Sequence, residues 1–207
     1  MMHKIYIYLF KEETVVGKVA RKLLKYPYTH IAFTLNHKDF ITFSRRRHYD
    51  PFNSGFMIEE RAHYTFGNNK EIEARYYVVE VDDKALRDIN DYMMSVSDDC
   101  FNLYGMLLSP FGGIEVSGAN NCMTFVAHVL ELSNIKLLKK LYYKNSIEDI
   151  EKALIRNKCI KEDVIIKKEY EDEDYMKKVS LMKKCKSFIN LNKKLIKGLR
   201  NKRSQLV

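Results

Sequence analysis

A chain of 207 residues, 46% of them hydrophobic, is long enough to fill one core and carry an appendage. It has no run of about 18 apolar residues, which excludes a membrane-spanning helix, and its cysteines (Cys100, Cys122, Cys159, Cys185) show neither a CxxC pair nor metal-ligand spacing. The net charge of +9 is lopsided: residues 177–207 hold eleven Lys or Arg and no Asp or Glu, and subtracting those eleven leaves −2 for residues 1–176, so any argument from charge concerns the tail alone.

The opening, MMHKIYIYLFKEE, alternates apolar and polar residues and meets charges within ten residues. It lacks the long apolar run and small-residue cleavage site of a signal peptide, so residues 3–10 read as a strand, and a cytoplasmic chain with reduced thiols is expected. Residues 13–25 place Val15, Val16, Val19, Leu23 and Leu24 at helical spacing and stop before Pro27. Residues 29–35 and 40–44 are short β-rich runs joined by Asn36–Asp39, a hairpin signal. Residues 49–55, with Pro51, Asn53 and Gly55, read as a loop, and 57–58 and 74–81 as further strand material. Residues 83–96 read as a helix with Leu86, Ile89 and Met93 on one side. Residues 109–121 (SPFGGIEVSGANN) are a glycine-rich loop that runs straight into an apolar helix over 122–132. Residues 146–157 begin SIED, a capping-box start for an amphipathic helix. An acidic cluster, 169–174, then precedes the basic tail. Strand, helix, a set of mostly antiparallel strands, helix, loop, helix is an α+β order. The expected organisation is a domain over 1–157, with an acidic linker and basic amphipathic tail over 158–207.

Cys122 stands where the glycine-rich loop turns into the apolar helix. A thiol there lies at the positive end of the helix dipole, which favours a thiolate nucleophile, and first-turn N–H groups are free to hold an oxyanion. A small cysteine that merely packs is the plain alternative. His30 opens the strand THIAFTL with Ala32 and Thr34 on its face, a place from which a ring can reach a helix N-terminus and act as base. The plain alternative there is a structural histidine. His128, six residues into the Cys122 helix, points away and reads as structural.

Three stretches carry a resemblance: YPYTHIAFTL, FITFSRRRHYDPFNSGFMIEE and NNCMTFVAHVL. Together, over about residues 3–135, they resemble the small bacterial, circularly permuted papain-like proteins related to NlpC-type cell-wall amidases. The histidine strand precedes the cysteine helix, the order of the permuted branch. The resemblance implies a papain-like fold with a central antiparallel sheet and the Cys122 helix packed on it. It implies Cys122 as nucleophile, His30 as base, and a third polar group holding the histidine, for which Thr42 on the next strand and Glu59 in GFMIE both stand. Arg45 matches the family's arginine and is a candidate contact for an acidic substrate group, set against a solvated loop for Arg45–His48. The implied chemistry is thiol-dependent hydrolysis or acyl transfer at an amide, ester or thioester of a peptide-like or lipid substrate, without metal or organic cofactor. The competing class is a papain-like module that keeps the cleft, lacks a working triad and only binds; a strong third residue beside His30 separates the two.

In the tail, Leu181, Cys185, Phe188, Leu191, Leu195 and Leu199 recur at three- and four-residue steps among lysines. That is a basic amphipathic helix, with two readings left open: peripheral contact with an anionic membrane through residues 177–207, or a stripe packed on the domain. Specific nucleic-acid binding is not expected, since no aromatic platform interleaves the charges.

Overall fold

Alternation in the first strand sets the plan of the molecule. In β1 (Met2–Phe10), Ile5, Ile7 and Leu9 enter one core while Tyr8 and Phe10 enter another, because successive strand residues point to opposite faces. The structure, a computed structural model, describes residues 1–66, 70–108 and 113–204.

β1 pairs antiparallel with β2 (His30–Thr34) on one side and β5 (Glu71–Asp82) on the other. With β3 (Phe40–Arg45), β4 (Ser54–Glu59), β6 (Cys100–Phe101), β7 (Ala119–Asn120) and β8 (Ile160–Lys167), these make an eight-stranded sheet ordered β7-β6-β4-β3-β2-β1-β5-β8. The architecture is α+β, but the sheet is mixed rather than wholly antiparallel: β6 and β7 run parallel. A parallel neighbour needs a crossover, and the chain between them supplies one that includes the short helix Leu103–Leu107.

The helices in chain order are α1 (Val15–Leu24), α2 (Asp83–Val96), α3 (Leu103–Leu107), α4 (Cys122–Leu132), α5 (Ile147–Arg156) and α6 (Leu181–Ser204). α2 matches the sequence reading residue for residue; the Asp82 side chain accepts the Ala85 N–H and fixes its start. α4 lies on the sheet, with Phe125 against Phe33 and Phe43 and its Val126, Val129 and Leu130 fully buried. α2 and α5 join it through Ile89, Ile150 and Leu154 in the same core. The second core, on the other face, is aromatic: Tyr8, Phe10, Phe40 and Tyr64, with the Phe10 and Tyr64 rings stacked at 3.9 Å.

Three further expectations change. The loop over 49–55 ends early, since Ser54 and Gly55 already pair with Arg45 and Ser44 in β4. The segment expected as an acidic linker opens with β8, which pairs with β5 from Glu71↔Lys167 to Val78↔Ile160 and so belongs to the sheet. The apolar stripe expected to seat α1 is not buried at Val19 (54% exposed) or Leu23 (76%), while the side chains of Val15 and Val16 lie outside the described residues. Residues 109–112 of the glycine-rich stretch also lie outside them; in the part described, Gly118 sits in a turn with a φ of +71° that suits glycine, and Ala119–Asn120 after it form β7. The basic tail is a helix as expected, and one side of it packs on the sheet edge through Leu191 and Leu195. Among the described residues no helix is long and apolar enough to cross a membrane.

Candidate active site

The start of α4 is pinned before its first turn begins. β7 runs beside β6, and the Asn120 amide donates to Asp99 at 2.9 Å. Asn121 then caps the helix: its side chain accepts the Thr124 N–H at 2.9 Å, and the Thr124 hydroxyl accepts the Asn121 N–H at 2.9 Å. The Asn121 carbonyl takes the Phe125 N–H. Cys122 is therefore the first helical residue, and the cap does not use its N–H or that of Met123.

His30 is the first residue of β2, where the strand end leaves its ring within reach of the α4 start. Its Nε2 bonds Glu59 Oε2 at 2.9 Å, deep in the protein: His30 is 6% exposed and Glu59 2%. Beside an ionised carboxylate Nε2 is the donor, which leaves Nδ1 as the ring's second hydrogen-bonding position. The Cys122 side chain is a further interaction partner of the same ring.

Glu59 is itself held. The Tyr64 hydroxyl donates to the same Oε2, and Ser44 adds a further hydrogen bond. Local folding explains the tyrosine. Glu60 and His63 cap one another around a single 3₁₀ turn (Arg61–His63), which folds Tyr64 back toward Glu59, where Phe10 stacks on it.

Electrostatics follow from this packing. Burial alone lowers the proton affinity of His30, but the Glu59 charge and the ring's hydrogen bonds to Cys122 and Glu59 outweigh it and hold the imidazole well above its ordinary 6.5. Burial pushes the Glu59 carboxyl up, yet the His30 charge and the bonds from His30, Tyr64 and Ser44 bring it from 4.5 down to about 2. The ring is thus a strong base beside a thiol, backed by a permanent carboxylate.

No family model, curated protein or solved structure matches this chain. The site is therefore argued from its own residues.

Of the sequence candidates, Cys122, His30 and Glu59 come together. Thr42 does not join them. Its hydroxyl donates to the Ile31 carbonyl at 2.8 Å, where it ties β3 to β2. Arg45 is not open to a substrate anion in this state: its Nε donates to the Tyr175 hydroxyl at 2.9 Å and its Nη2 lies 3.8 Å from Glu12. Tyr175, 3% exposed, is held in place by the His48 N–H on its carbonyl and by the His63 ring at 4.5 Å. His128 packs on Tyr92 at 4.2 Å, the structural role expected of it. Sequence reasoning missed Tyr64 and Ser44. Their spacing from Glu59 carries no motif, and only the turn over Arg61–His63 and the sheet geometry bring them in.

Proposed function

We propose that this chain is a thiol-dependent hydrolase or acyltransferase of papain-like, permuted NlpC type, acting on an amide, ester or thioester. The observation that carries the reading is the bond between His30 and the buried Glu59 carboxylate, with the Cys122 side chain a further interaction partner of the same ring. A charged third residue favours the enzyme over the binding module, since a carboxylate both orients an imidazole and stabilises its cation.

In this mechanism His30 takes the thiol proton and the sulfur attacks the carbonyl carbon of the substrate. The carbonyl π pair moves to oxygen, and the Cys122 and Met123 N–H groups, left by the cap, face the developing oxyanion. As the oxyanion collapses, the bond to the leaving amine, alcohol or thiol breaks and His30 returns a proton to that group. The acyl group remains on Cys122 as a thioester. Water or another nucleophile, deprotonated in turn by His30, attacks the thioester and restores the thiol. Throughout, Glu59 stays ionised and holds the ring. A reducing compartment such as the cytoplasm suits this chemistry and the four free cysteines.

Intact-mass and peptide mapping after incubation with p-nitrophenyl acetate tests the proposal. The acetyl group should appear on the Cys122 peptide within the release burst of nitrophenol and be absent from Cys122→Ser. Acetylation spread over lysines, with none on Cys122, would refute it.

A further inference from the structure

The basic tail has two apolar stripes, and the fold uses only one of them. At 100° per residue around α6, Leu191, Leu195 and Gly198 fall together on the side that packs against Cys100, Val116 and Ala119. That side sits flush, since a Cβ on Gly198 would come within 2.3 Å of the Ser117 carbonyl oxygen. Met182, Ile189 and Ile196, at steps of seven, fall on the opposite side and are 83%, 52% and 45% exposed. Exposed Lys186, Lys193, Lys197 and Arg200 share that outer side. The helix holds nine Lys or Arg and no Asp or Glu.

We propose that the outer face of α6 docks on an anionic lipid surface, with Met182, Ile189 and Ile196 entering the boundary between headgroups and acyl chains. Lysines drawn to phosphate bring the helix to the surface, and an apolar row then gives contact that screening cannot remove. Charge selects this occupant over the others. A second copy pairing through the same row would set nine cations against nine. A nucleic acid would meet the cations but leave the apolar row uncovered, and no aromatic side chain on that face offers a base a platform. The docking is independent of the acyl-transfer chemistry.

Sedimentation of the full chain with vesicles tests it. Binding to phosphatidylglycerol–phosphatidylcholine vesicles is expected, with little to pure phosphatidylcholine. Raising salt from about 0.1 M to about 1 M shortens the screening length from about 10 Å to about 3 Å, and binding should fall about tenfold or more without vanishing. Met182→Ser/Ile189→Ser/Ile196→Ser should remove the salt-resistant part while leaving the melting temperature unchanged, since all three side chains are exposed. A second variant, Lys193→Glu/Lys197→Glu, should lose most of the low-salt binding. The proposal is overturned by no binding to anionic vesicles, by equal binding to neutral ones, or by a triple variant that binds like the native chain at high salt. A native dimer in solution that the triple variant dissolves would also overturn it, because the row would then be covered by a second copy.

Discussion

Glu59→Gln keeps the shape of the side chain and an oxygen for His30 and Tyr64 to bond, and it removes only the charge. The carboxyl stands at about 2 against an ordinary 4.5, a difference worth about 3 kcal/mol for a fully buried group. That agrees in size with the loss on breaking a buried ion pair, about 3–5 kcal/mol. For a chain of this length it corresponds to a fall in melting temperature of roughly 6–12 °C. The pH dependence has a definite sign. The Glu59 contribution, from a lowered carboxyl, is fully present above 4.5 and disappears as pH falls toward 2. The His30 contribution, from a raised imidazole, is fully present below 6.5 and disappears as pH rises through the higher folded value. Both describe one interaction, so the gap between native and variant should be widest between pH 4.5 and 6.5 and narrow on either side. Urea titrations across pH, with the His30 ring followed by NMR, measure both effects. A variant as stable as the native chain throughout, with an unmoved His30 titration, would refute the pairing of His30 with Glu59.

Leu195→Ala removes a fully buried side chain from the contact between α6 and the sheet edge, and should cost about 3 kcal/mol, seen as a melting temperature lower by roughly 6–12 °C. An unchanged melt would mean that the tail does not pack there. Thr42→Val takes away the bond to the Ile31 carbonyl and should cost about 1–3 kcal/mol in a chemical denaturation, while acetylation of Cys122 by p-nitrophenyl acetate proceeds at the native rate in the folded protein. Loss of acetylation in folded Thr42→Val would return Thr42 to the site.

How far the sequence carries differs element by element. α2 was legible to the residue because helical spacing and the Asp82 cap agree. β8 was not. Only Ile166 in it is buried, and the strand is held by backbone pairing and by cross-strand partners such as Arg75 with Asp163 and Tyr76 with Glu162, so no apolar alternation marks it. Two-residue strands such as β6 and β7 are too short for any period, yet β7 is what aims Cys122. In the site, Cys122 and His30 were legible from their places at a helix start and a strand start. Thr42 and Glu59 could not be settled from sequence: Thr42 lies on β3, next to the His30 strand, while Glu59 lies one strand further out on β4, and its place in space cannot be read from its spacing. The choice falls to Glu59 because its carboxylate bonds His30 and Tyr64, while the Thr42 hydroxyl is spent on the Ile31 carbonyl.

The central claim is that His30 activates Cys122, and the chain contains its own control. Cys100 and Cys122 are both 6% exposed, but burial pushes the Cys100 thiol up, and it has no imidazole beside it. Iodoacetamide labelling at neutral pH, resolved by peptide mapping, compares them at equal exposure. Cys122 should react about tenfold faster than Cys100 or more, and His30→Ala should erase that advantage while leaving Cys100 unchanged. Equal rates in the native chain, or a Cys122 rate indifferent to His30→Ala, would contradict the account.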